Sequence, residues 1–154
     1  MSPLMPDSYD REILYLLNDV ARLMKTRADQ RARLNGMTRA QWVILARLER
    51  QPGLTQNDIA AIVEVEPITV ARLVDRLETH GLLERRADPK DRRVWRLHLT
   101  PAAEPVLRDI HRHKRELRDE ITEGVDPALI EKVIEGLLKM KVNLTDGRTS
   151  LRAV

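Results

Sequence analysis

The chain has 154 residues, a net charge of +3, 33% charged and 3% aromatic residues, and neither Phe nor Cys. That length suits one domain able to bury a sizeable core, and the lack of cysteine excludes disulfides, thiolate zinc sites and thiol-oxidation sensing. No stretch approaches the roughly 18 apolar residues of a membrane helix. The opening MSPLMPDSYDRE carries acids where a signal peptide would be apolar, so the cytoplasm is the expected compartment, with no membrane partner.

Residues 1–6 hold two prolines and read as a loose arm. Asp7 or Ser8 is suited to cap a helix running to about residue 33, in which Ile13, Leu16, Leu17, Val20, Leu23 and Met24 recur at three- and four-residue steps. Asn35-Gly36 breaks it. Thr38 followed by Gln41 is a capping-box pattern that opens a helix to about residue 50 carrying Trp42, Leu45 and Leu48, and Gln51-Pro52-Gly53 ends it. Thr55 and Asp58 open a third helix, with a weaker box because Asp is shorter than the usual Glu. Pro67, whose missing N–H costs nothing at a first helical position, opens a fourth helix to about Thr79, and Gly81 suits a left-handed C-terminal cap.

Two strands come next, at 83–87 and 93–99, around a turn at 88–92. In the second, Trp95, Leu97 and Leu99 alternate with Arg96 and His98, which predicts one buried and one wet face. Thr100-Pro101 opens a long helix, Asp126-Pro127 opens another to about residue 143, and residues 146–154 read as a frayed tail. The fold class is mainly α with a small β-hairpin.

The helices from Thr55 to Thr79 are joined by about four residues, the spacing of a helix-turn-helix. On the second of them, Val70, Leu73, Val74 and Leu77 form one stripe, while Ile68, Arg72, Asp75, Arg76 and Thr79 fall opposite, with Thr69 at the edge. A recognition helix inserts its N-terminal end into the major groove, so Ile68, Thr69 and Arg72 are the base-reading candidates and Arg76 a phosphate candidate. Alone, such a face also fits a solvated surface helix. Directly after it, however, stands a hairpin in which six of the twelve residues 85–96 are basic: Arg85, Arg86, Lys90, Arg92, Arg93 and Arg96. A ribbon with cations at its tip is a shape that reaches phosphates or a minor groove.

Here the chain resembles the MarR family of winged helix-turn-helix regulators. The resemblance runs through MTRAQWVIL (37–45), PGLTQNDIA (52–60), ITVARLVDRLETHGLLERRADPKDRR (68–93) and LHLT (97–100), over a third of the chain. It implies a homodimer with interleaved N- and C-terminal helices: a winged helix-turn-helix at about 38–100, and a helical dimerisation region from about 7–35 and 101–145, within a single MarR-like domain. By position, the helix from Pro67 would read DNA, Arg93 or its neighbour Arg92 would enter the minor groove, and Asp91 would hold the wing arginine by a charged hydrogen bond. The family commonly has a glycine where Ala103 stands, and Pro105 lies nearby, so an irregular start to that helix is expected. The resemblance also implies release from DNA by a small lipophilic anion or phenol, for which Arg85, at the wing root, is a candidate cation beside its simpler roles in phosphate contact or a surface ion pair.

The dimer has support apart from the family, because long amphipathic helices outside a small winged domain need a partner for their apolar stripes. His111 and His113, two apart on a helix, point in different directions and chelate poorly, so no metal is expected; the basic run 108–118 reads as an exposed face. Glu120, Glu123 and Glu131 lack a convergent partner, no glycine-rich phosphate loop is present, and no cofactor or enzymatic activity is expected. The expected function is a sequence-specific DNA-binding regulator, a homodimeric repressor of a pseudo-palindromic operator. The alternatives are an activator or anti-silencer of the same fold and a winged-helix protein–protein module without DNA binding.

Overall fold

The computed structural model describes residues 11–63 and 65–145. The expected arm at 1–6, the caps Asp7 and Ser8 and the tail at 146–154 lie outside the described residues. Helix α1 (Ile13–Leu34) is capped by Glu12, whose carboxylate accepts the N–H groups of Leu14 (2.9 Å) and Tyr15 (3.1 Å). Helix α2 (Arg39–Arg50) carries the full capping box: Gln41 N–H donates to Thr38 Oγ1 at 3.2 Å and Thr38 N–H to Gln41 Oε1 at 2.9 Å. Helix α3 (Gln56–Val63) has the same reciprocal pair between Thr55 and Asp58, at 2.9 and 3.1 Å. The shorter acid thus still closes both halves of the box.

Helix α4 (Pro67–Thr79) starts on proline and stops at Gly81, where φ is +73°. Leu82 N–H donates to Leu77 O and Gly81 N–H to Glu78 O, which satisfies carbonyls the helix end leaves open and turns the chain sharply into a strand. Strands β1 (Leu83–Ala87) and β2 (Trp95–Leu99) pair antiparallel in the register Leu83↔Leu99, Arg85↔Leu97, Ala87↔Trp95. Gly53 and Leu54 line the other edge of β2, with Gly53 N–H donating to Leu97 O and Leu97 N–H to Leu54 O, each at 2.9 Å. A 3-10 turn (Pro101–Ala103) then leads into α5 (Glu104–Thr122), the expected irregular start, since Pro105 has no N–H to give. Helix α6 (Pro127–Thr145) completes the described chain.

The chain groups into two compact units, residues 1–117 and 118–154. The core of the first joins Trp42, Ile44, Leu45 and Leu48 of α2, Ile59 of α3, Val70, Leu73, Val74 and Leu77 of α4, and Leu83 and Leu97 of the hairpin, with Ala32 and Ile110 from the long helices. Each such buried Val, Leu or Ile contributes roughly 1.5–3 kcal/mol relative to exposure. The apolar positions of α1 lie differently: Ile13, Leu16, Leu17, Val20, Leu23 and Met24 are all exposed. In the second unit, Leu129, Val133, Ile134, Leu137, Leu138 and Val142 of α6 are exposed as well, and α6 has no buried residue. Among the described residues no helix is long and apolar enough to cross a membrane.

A candidate nucleic-acid interface

The candidate surface on α4 is built by the burial of its opposite side. Val70, Leu73, Val74 and Leu77 anchor α4 in the core, which leaves Ile68, Thr69, Arg72 and Arg76 exposed on one face. Ile68 is 65% exposed at the first turn, an arrangement that water alone disfavours. The structure thus brings together all four positions expected on this helix.

The hairpin adds a second basic element with its own internal scaffolding. Asp88 Oδ1 accepts the N–H groups of Lys90 (2.7 Å) and Asp91 (3.2 Å), closing the turn, while Asp88 Oδ2 accepts from Arg96 Nε at 2.5 Å. Arg96 Nη1 also donates to Gly53 O at 2.9 Å, so this arginine ties the wing to the α2–α3 connection. At the tip, Asp91 Oδ1 accepts Arg93 N–H at 3.0 Å and Arg93 Nε at 3.2 Å, and Oδ2 lies 3.4 Å from Arg93 Nη2. The Arg93 side chain is nonetheless 91% exposed. Lys90 and Arg92 are exposed beside it. Both aspartates are held below the ordinary carboxylate range, Asp88 chiefly by the Lys90 N–H and then the Arg96 guanidinium, Asp91 chiefly by the Arg93 N–H and then its guanidinium.

Arg85 is engaged on three sides. Its Nη1 donates to Glu78 Oε1 (2.8 Å), Nη2 to Asp75 Oδ1 (2.5 Å) and Gln56 Oε1 (2.9 Å), and Nε to Gln56 Oε1 (3.2 Å). One side chain on β1 therefore fixes the wing root to both α3 and α4. The second strand departs from the expected alternation: Leu97 is buried, but Trp95 is 52% exposed, because the hairpin overhangs the body beyond the Arg85–Leu97 pair.

A model of the MarR family matches residues 37–95. Among solved structures, the chain is similar to a MarR-family transcriptional regulator from Silicibacter pomeroyi, with 27% identity over 88% of this chain and 91% of that one and a TM-score of 0.77. It shares its fold with a protein from Listeria monocytogenes assigned to the MarR family and solved in complex with 26mer DNA, at 22% identity over 88% and 90% of the chains and a TM-score of 0.76. With transcriptional regulator PA3341 the identity rises to 32%, over 88% of this chain and 99% of that one, at a TM-score of 0.78. The chain belongs to the MarR family. Its family and these neighbours are transcriptional regulators, not enzymes.

Within this MarR-family chain, two polar links have no signature in the sequence. Asp109 of α5 accepts from Arg31 Nη2 at 3.2 Å and Asn35 Nδ2 at 2.5 Å, joining α5 to the end of α1. His111 Nε2 lies 2.9 Å from both Glu49 carboxylate oxygens on α2. The basic run at 108–118 is thus exposed in part, while its Asp109 ties α5 to the end of α1 and its His111 ties it to α2. No local pattern announces partners 62 to 78 residues away. Trp42, 3% exposed in the core, packs its ring 5.7 Å from that of His113. Among the described residues no group of three potential metal ligands occurs.

Proposed function

We propose that the chain is a sequence-specific, double-stranded-DNA-binding transcriptional regulator that acts as a homodimer. Residues 38–100 form the DNA-binding part; residues 7–35 and 101–145 form the dimerisation part. The observation that carries the reading is the pairing of a two-faced α4, whose outer face offers Ile68, Thr69, Arg72 and Arg76, with a wing that holds Arg93 outward on Asp91. Ile68, Thr69 and Arg72 read base edges in the major groove, Arg76 and Lys90 meet phosphates, and Arg93 with Arg92 enters the minor groove. The exposed apolar stripes of α1 and of α6 support the dimer, since stripes of that extent are seldom left to water.

Repression relieved by a small lipophilic anionic or phenolic effector is the regulation that the family resemblance favours. Arg85 is the candidate to meet the anion. Its guanidinium is already bonded to Gln56, Asp75 and Glu78, so a ligand carboxylate would exchange with one of these and loosen the wing from α4. Such a ligand shifts the population away from DNA only in so far as it prefers the loosened state.

Selection of bound duplexes from a random-sequence library tests the proposal directly. The expected product is a pseudo-palindrome with half-sites one or two turns apart, at about 10–10.5 base pairs per turn. Its affinity should fall roughly 10³–10⁵-fold between about 50 and 200 mM salt if about 6–10 phosphates are engaged. Failure to enrich any sequence, with no salt-dependent binding, would reject the reading in favour of a protein–protein module. A reporter assay in a deletion strain separates repression from activation.

A further inference from the structure

Across residues 37–100, the large apolar side chains that stand exposed are Ile68 and Trp95. Ile68 belongs to the recognition helix; Trp95 has no role among the proposed DNA contacts. Its position is defined by register. Opposed residues of an antiparallel pair point to the same side, so Leu83 and Leu99, Arg85 and Leu97, and Ala87 and Trp95 share one face of the hairpin. Arg85 on that face reaches Gln56, Asp75 and Glu78, so the face looks toward α3 and α4. Leu83 and Leu97 are buried against the body, and the next pair outward, Ala87 and Trp95, overhangs it. The indole therefore continues the α3- and α4-facing side of the hairpin toward the wing tip, where Lys90, Arg92 and Arg93 are exposed, as Arg72 and Arg76 are on α4.

We infer that Trp95 packs on the sugar–phosphate strand of duplex DNA that runs between the groove read by α4 and the groove entered by the wing. This rests on the DNA-binding reading. If one protein edge occupies the major groove and the other the adjacent minor groove, the backbone separating the two grooves must pass between α4 and the wing tip, on the side of the hairpin that carries Trp95. Cations on both sides draw the phosphates in, and the broad indole face covers the apolar deoxyribose carbons between them. The contact is indifferent to sequence. Trp95 therefore adds apolar contact to the backbone without changing which phosphates the wing cations meet.

The chain's two tryptophans make the test optical. Trp42 is buried and Trp95 exposed, so subtracting the emission of Trp95→Phe from that of the wild type isolates Trp95. Acrylamide should quench that component readily in the unbound protein and several-fold less at saturation with a library-selected duplex. Trp95→Ala should weaken binding about tenfold. Its salt slope should stay unchanged, because no charge is lost, and its loss should be equal on selected and random duplexes. Trp95→Phe should recover most of the affinity.

Duplex binding with unaltered quenching of Trp95 would overturn this inference while leaving the DNA-binding reading intact. A reduced salt slope in Trp95→Ala would also overturn it, since the ring would then act by placing the wing cations. Absence of any duplex binding by the wild type would reject both.

Discussion

At the scale of single residues, the wing depends on two short acids. Asp91 is bonded to both the backbone N–H and the guanidinium of Arg93, so an otherwise fully solvated side chain is restrained near one direction. Such restraint lowers the entropy lost when an arginine enters a groove. Arg93→Ala is expected to weaken operator binding by about 1.5–3 kcal/mol, the range for hydrogen bonds to charged groups, with an unchanged circular dichroism spectrum. Arg72→Ala should cost roughly 1–3 kcal/mol on the selected duplex and less on random DNA; equal losses in titrations of the two would assign Arg72 to phosphate. The pH response follows from the lowered titration of Asp88 and Asp91. A carboxylate whose folded value is depressed contributes its stabilisation above the unfolded value and loses it as pH falls through the folded one. Wing order, followed through the Arg93 Nε–H resonance, should therefore be flat above the ordinary value of 3.8 and fail only below it.

At the scale of elements, local chemistry governs the ends of helices and long-range chemistry governs how they meet. Thr38 with Gln41, Thr55 with Asp58, Pro67 and Gly81 all act where the sequence places them, because a cap involves residues within a few positions of one another. The wing root is different. Arg85 joins β1 to α3 and α4 through acceptors 7, 10 and 29 residues away. Arg85→Met keeps the length and removes those bonds. It is expected to cost on the order of 1 kcal/mol in folding stability by urea titration, because the pairs are partly exposed. DNA affinity should fall further than that, since the angle between α4 and the wing is no longer fixed; an affinity unchanged on the selected duplex would show that the strut does not serve binding.

At the scale of the whole molecule, the apolar stripes of α1 and α6 need cover. Sedimentation should show a dimer whose melting temperature rises with protein concentration. Val20→Asp in α1 or Leu137→Asp in α6 should shift it toward monomer and abolish high-affinity binding to the two-half-site duplex, leaving the helix signal of the winged body in place. A wild type that remains monomeric at micromolar concentration would remove the dimer from the proposal. The links of Asp109 to Arg31 and Asn35, and of His111 to Glu49, mark where changes in α5 would be passed to α1 and α2.

By itself the sequence determined the order and type of elements, the buried stripe of α4, the basic wing and the family, because helical period, strand alternation and cap chemistry are short-range properties. It also indicated that the helices of residues 7–33 and 101–145 would need a partner for their apolar stripes. Tertiary structure alone decided the fate of individual side chains on the hairpin. Alternation predicted burial for Trp95, yet the body ends one residue pair short of it. Six basic residues of the hairpin look alike in sequence, but Arg85 and Arg96 are bonded to the body, Arg86 pairs with Glu84 on its own strand, and Lys90, Arg92 and Arg93 face outward. The reason is physical: period tells which side of an element a residue occupies, whereas the extent of the neighbouring surface tells whether that side is covered.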